Sequence, residues 1–117
     1  MSTLKVNTLE EATAGGATFY TSKAWVNFNG TGTVAIRADG NVSSITDNGT
    51  GDYTVTFSNA IVDANYVTAG SGGGTSRSYL LNKEGLSAPT TAAVRVRTLT
   101  PGISVNDDAQ VNVMVIR

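Results

Sequence analysis

The tetrapeptide Asn-Gly-Thr-Gly occurs twice, at 29–32 and 48–51, each time between segments whose apolar residues recur at every second position. Asn and Gly tolerate the positive φ that tight hairpin turns require. Before the first copy, Ala24, Val26 and Phe28 alternate with Trp25 and Asn27; after it, Val34 and Ile36 resume the pattern. After the second copy, Tyr53, Val55 and Phe57 alternate with Thr54 and Thr56. A period of two is that of a strand with one buried face. The chain is therefore expected to form two β-hairpins in succession, as in a meander. Val42 and Ile45 stand three apart, which predicts a bulge near Ser43-Ser44.

The remainder reads the same way. Asn65 to Ala69 is expected as a strand, Gly70 to Ser76 as a mobile loop with too little side chain to pack, and Ser78 to Leu81 as a strand. Glu84 to Thr91 reads as a second loop. Ala92 to Leu99 places Val94 and Val96 inward and Arg95 and Arg97 outward, and Pro101-Gly102 turns the chain. In the last strand Val111, Val113 and Val115 share one face, while the other passes from Gln110 and Asn112 to Met114 and Ile116. Seven or eight short strands predict an all-β fold, an antiparallel β-sandwich of jelly-roll-like form over residues 22–117. Residues 1–21 read as an N-terminal docking arm. Within it, Leu4, Val6 and Thr8 suggest a short strand, and Thr8-Leu9-Glu10-Glu11 has the spacing of a capping box, predicting about seven residues of helix that stop at Gly15-Gly16.

Composition removes most chemistry. The chain of 117 residues holds no Cys and no His, so thiolate and imidazole catalysis and the commonest zinc ligands are excluded. Eight Lys and Arg against nine Asp and Glu do not make the basic face of a nucleic-acid binder. No apolar run approaches the roughly 20 residues of a membrane-spanning helix, and the N-terminus lacks the apolar stretch of a secretory signal. Neither a Ser-x-x-Lys spacing nor a nucleophile elbow surrounds Ser22-Lys23 or Lys83, and Gly70 to Gly74 lacks the Lys of a phosphate-binding loop. Asp47 to Asp52 and Asn106-Asp107-Asp108 hold oxygen ligands, but a turn uses Asx and Gly for its own backbone. The expectation is a non-enzyme without metal or cofactor.

Four residues stand out as candidate contacts between chains or with a larger assembly: Leu4 and Val6 in the arm, and Met114 and Ile116, where an outer strand face turns apolar. Trp25, the only tryptophan, and Tyr79 are candidates for receptor or glycan contact, because an aromatic ring on an outer face can stack on a sugar. The plainer reading of Trp25 is a cover for a neighbouring strand. Arg95 and Arg97 are either a solvated face or partners for the carboxylates of a neighbouring subunit.

The block from Lys23 to Phe57, with its Ala24-Trp25-Val26-Asn27-Phe28-Asn29-Gly30-Thr31, Val34-Ala35-Ile36-Arg37 and Asn41-Val42-Ser43-Ser44-Ile45-Thr46-Asp47-Asn48-Gly49-Thr50-Gly51-Asp52-Tyr53 runs, resembles a module of tail-fibre and fibre-like virion proteins of tailed bacteriophages, notably marine phages of cyanobacteria. Ala64-Asn65-Tyr66 and the opening Ser2 to Thr8 are similar as well, so the resemblance spans residues 1–8 and 23–66. It implies a structural and recognition role within the virion, a homotrimer that contacts other virion proteins, and no catalytic residues. The chain is short beside such fibres, so a capsid decoration (head fibre or cement) protein and a carbohydrate-binding module that recognises host-surface glycans stand as alternatives. Neither nucleic acid nor membrane insertion is expected.

Overall fold

The computed structural model describes residues 2–13, 15–74 and 88–117, together with the backbone of 79–82. Among them there is no helix. Eight strands form, β1 (Ser22–Asn29), β2 (Ala35–Gly40), β3 (Val42–Gly49), β4 (Asp52–Phe57), β5 (Val67–Gly72), β6 (Tyr79–Asn82), β7 (Ala93–Leu99) and β8 (Val111–Ile116). They make two four-stranded antiparallel sheets, ordered β2-β1-β8-β5 and β3-β4-β7-β6, packed face to face as a β-sandwich.

The core follows from the alternation. Ala24, Val26 and Phe28 of β1 and Val111, Val113 and Val115 of β8 face Tyr53, Val55 and Phe57 of β4 and Val94 and Val96 of β7, all buried. Phe28 and Tyr53 meet between the sheets edge to face, with ring centroids 5.2 Å apart, and Phe57 meets Tyr66 in the same geometry at 5.8 Å.

Both hairpins form, and the register of β3 on β4 slips between Val42 and Ser44, where the bulge was expected. They do not continue as a meander, because β2 and β3 lie in different sheets. The chain changes sheet at Asn41, which takes a φ of 60°, a region Asn tolerates better than most residues. Its side chain secures the corner. Nδ2 donates to the carbonyls of Lys23 and Asn59, both at 3.0 Å, and Oδ1 accepts the Asn59 N–H at 2.8 Å.

Two other expectations are corrected. The strand after Tyr66 does not stop at Ala69. Gly70, Ser71 and Gly72 continue β5 and pair with Val113, Asn112 and Val111, since a ladder is built from backbone groups and needs no side chain. Thr75 and Ser76 fall outside the described residues. The arm holds neither the short strand at Leu4 to Thr8 nor the helix. Instead it doubles back: Glu10 bridges Thr18, Phe19 N–H donates to Leu9 C=O at 2.7 Å, and Glu11 N–H to Ala17 C=O at 3.1 Å. Seven residues of helix cannot offset the cost of their own nucleus without a surface to pack on, and the arm has none.

The arm projects from the sandwich. The radius of gyration is 15.9 Å and the extents are 49 × 28 × 27 Å, against about 13 Å for a compact chain of this length. The accessible surface of 7305 Å² likewise exceeds the roughly 6,000 Å² expected of a globule of this mass.

Candidate functional site

Among the described residues, exposed apolar side chains gather in the arm and on one sheet face, with Val62, Ile103 and Val105 exposed elsewhere. The first is the arm, where Leu4 is 84 % exposed and Tyr20 79 %, with Val6, Leu9 and Phe19 also exposed. Its shallow concavity is lined by arm residues and Lys23, so the arm folds against itself rather than onto the core.

The second is the outer face of the β2-β1-β8-β5 sheet. Register sets Trp25 of β1 beside Met114 of β8, and Met114 beside Ala69 of β5. One pair further along, Asn27 faces Asn112, and Asn112 faces Ser71. Asn27 Nδ2 donates to Asn112 Oδ1, and Asn112 Nδ2 donates to Ser71 Oγ at 3.2 Å. An apolar row and an amide row thus run side by side across three strands. At the other end, Ile116 is half-buried beside the exposed Val67. Trp25 turns its indole over Gly40 of β2, its register partner. A Cβ at Gly40 would collide with Nε1 and lie 2.7 Å from Cδ1. The ring therefore covers a glycine of the edge strand and keeps 44 % of its surface exposed.

The candidate contact residues thus fall into separate places. Leu4 and Val6 lie in the arm, Met114 and Ile116 lie on the sheet's outer face with Trp25, and the side chain of Tyr79, in β6 of the opposite sheet, lies outside the described residues. Of the Gly70 to Ser76 and Glu84 to Thr91 loops, Gly70 to Gly72 belong to β5, Gly73, Gly74 and residues 88–91 are exposed or half-buried, and Thr75, Ser76 and residues 84–87 fall outside the described residues.

Several of the polar residues weighed for chemistry are used by the fold, and Lys83 lies outside the described residues. Ser22 Oγ donates to the carbonyls of Ala24 and Val115. Asp47 Oδ1 accepts the Gly49 N–H at 3.0 Å. Arg95 grips Asp52 of its own chain in two parallel bonds, Nε to Oδ1 at 2.8 Å and Nη2 to Oδ2 at 3.0 Å. Among the described residues, no group of three or more acidic side chains is placed to hold a metal ion. A cleft of ≈ 380 Å³ lies between Lys23, Asn41, Ile61 and Arg117, but Arg117 is held by Asp63 at 2.7 Å, and that hydrogen bond lowers the Asp63 carboxyl to about 2.

A buried polar knot escapes sequence reading altogether. The Tyr53 hydroxyl lies 2.9 Å from the Gly30 carbonyl and 3.0 Å from Asp107 Oδ1, and the same Oδ1 accepts the Gly51 N–H at 2.8 Å. Both Asn-Gly-Thr-Gly turns are thereby joined to the segment before β8. Burial first, then the bond to Asp107 and its negative charge, raise the Tyr53 phenol well above its usual 10.0. The neutral phenol is the folded form, so its contribution is complete below pH 10 and is lost as pH rises beyond it. Tyr53→Phe is expected to lose about 1–3 kcal/mol at neutral pH, by leaving the Gly30 carbonyl and Asp107 Oδ1 without the one phenol proton they share. It should also show a shallower alkaline decline than the parent. Urea unfolding at pH 7 and between pH 9 and 12 checks both.

Comparison with protein-family models, with curated proteins and with solved structures finds no match for this chain.

Proposed function

We propose that the chain is a structural module of a bacteriophage virion, of the tail-fibre-like kind that its 23–57 block resembles, and that it assembles as a homotrimer through its N-terminal arm. The observation that supports this is the contrast between a closed core and an unpacked arm. Every residue of the buried apolar cluster lies between Ala24 and Val115, whereas Leu4, Val6, Leu9, Phe19 and Tyr20 are all exposed on a segment held by few backbone bonds. Burying one such side chain stabilises by about 1.5–3 kcal/mol, so the arm gains from a neighbouring chain what it does not obtain from its own. Further virion proteins are the natural second partners of such an assembly. A capsid decoration protein would dock by the same means.

Absolute mass by light scattering, on the full chain and on residues 22–117, tests this reading; the shorter chain keeps the whole core. The expected result is a trimer for the full chain, a monomer for residues 22–117, and a weakened trimer for Leu4→Ser with Val6→Ser. A trimer indifferent to truncation would place assembly on the sandwich instead, and a full chain that stays monomeric would rule out the homotrimer.

A further inference from the structure

We propose that residues 2–6 of the arm pair as an added strand on the free edge of β5 in a second copy of the chain, an inference that rests on assembly through the arm. β5 ends the β2-β1-β8-β5 sheet and pairs on one side only, with β8. Proteins guard exposed edges with charge, proline or a bulge. Of the edge strands with described side chains, β2 carries Arg37 and Asp39, and β3 carries Asp47 and slips register near both ends. β5, with the sequence Val-Thr-Ala-Gly-Ser-Gly, has neither charge nor proline, and its six pairs with β8 run without a slip. Nothing in its own sequence deters a partner strand.

The register fixes which groups this edge presents. In an antiparallel pair, residues bonded to the partner strand alternate with residues whose N–H and C=O point away from it. Gly73 N–H donates to Gln110 C=O at 2.8 Å, one pair beyond Gly72 and Val111. Val67, Ala69 and Ser71 therefore bond to β8, whereas Thr68, Gly70 and Gly72 turn their N–H and C=O to the free edge. The Thr68 hydroxyl oxygen is also buried without a hydrogen-bond partner.

The arm carries the complementary pattern. Antiparallel addition, the pairing used throughout both sheets, sets Ser2 beside Ser71, Leu4 beside Ala69 and Val6 beside Val67. Leu4 then extends the outward row of Trp25, Met114 and Ala69, Val6 extends that of Ile116 and Val67, and Ser2 joins the row of Asn27, Asn112 and Ser71. Lys5 falls beside Thr68, bringing a donor to its unpartnered hydroxyl. A slip of one residue would put Lys5 on the apolar rows instead. Backbone bonds supply the affinity of such an added strand and the alternate side chains its register. The donor is a second copy because the arm leads away from its own sandwich: residues 2–13 are all exposed, and the long axis of 49 Å exceeds the others at 28 and 27 Å. Donation from each copy to the next is a head-to-tail contact, which closes as a ring in a trimer.

Hydrogen exchange at single backbone amides, measured with absolute mass on the full chain and on residues 22–117, tests the pairing. The expected result is a trimer in which the Thr68 and Gly70 amides exchange at least about tenfold more slowly than in residues 22–117, while Ala69 and Ser71, bonded to β8 in both, change less. Lys5→Pro keeps Leu4 and Val6 but removes the N–H that meets the Thr68 carbonyl. It should abolish the slowing and weaken the trimer, whereas Lys5→Ala should preserve both; Lys5 is exposed in the arm, so neither change touches the core. A trimer whose Thr68 and Gly70 amides exchange as fast as in residues 22–117 would overturn the strand addition and leave assembly through the arm standing. Slow exchange that survives Lys5→Pro would overturn it as well. A full chain that is monomeric with a fast-exchanging edge would overturn both readings. Slow exchange in a monomeric full chain would assign the edge to the arm of the same molecule and overturn donation between copies.

Discussion

Gly51→Ala is expected to destabilise the protein by about 2–5 kcal/mol, a large share of the roughly 5–15 kcal/mol that holds a domain folded. Gly51 is buried with a φ of 62°, where a residue with a Cβ is strained. Its surroundings add a second cost. A Cβ there would lie 2.7 Å from the carbonyl oxygens of both Asn106 and Thr98 and 2.9 Å from the Asn106 nitrogen. These are backbone atoms and cannot swing aside. Gly51 N–H also donates to Asp107 at 2.8 Å, and its carbonyl accepts Thr98 N–H at 2.9 Å, so any retreat breaks the knot beneath Tyr53. Gly32 is the control. Its φ of 58° is equally demanding, but nothing lies within 4 Å of its added Cβ, and Gly32→Ala should cost only about 1 kcal/mol. Urea unfolding of the two variants measures the difference; equal losses would mean that the close approach of the 98–106 backbone contributes nothing.

Phe28→Ala should cost about 3–5 kcal/mol, the usual loss when a buried aromatic is truncated and its site cannot collapse. Phe28 is 0 % exposed and packs edge to face on Tyr53 of the opposite sheet. Its neighbours Val111 and Ile36 are held by strand pairing on either side, so little can move in to fill the space. The unfolding midpoint should fall with little change in the denaturant slope. Trp25→Ala, one pleat away on the outer face, removes a larger ring but leaves no internal cavity, and its loss should be clearly smaller. A cost for Phe28→Ala no greater than for Trp25→Ala would contradict the inward facing of Phe28.

Much of the sandwich was legible because strand alternation is local. The inward sets at 24-26-28, 53-55-57, 94-96 and 111-113-115 are all buried as the period of two requires, and the bulge at Ser43-Ser44 follows from one break in that period. The errors fall where the partner of a segment decides its state. Gly70 to Gly72 read as a loop because its residues have nothing to pack, yet β8 offers an unpaired edge and the backbone takes it. The arm read as a helix because Thr8 to Glu11 has capping spacing, yet no surface exists for the helix to cover. The bond of Arg95 to Asp52 of its own chain was not legible either, because the two stand 43 residues apart in the sequence. The candidate site was half legible: Trp25 and Met114 were visible as outward residues of two strands, whereas their adjacency, and that of Asn27, Asn112 and Ser71, required the order β1-β8-β5.

The all-β class and the inward facing of each strand follow from local residue order, since both depend on which residues seek water and on turns set by Asn and Gly. The tertiary structure alone decided which strands are neighbours, that the second hairpin lies in the other sheet, and that two distant turns converge on Tyr53 and Asp107. Strand pairing is made by backbone groups that every residue carries alike, so composition and period cannot select among the edges; shape complementarity across the closed core does.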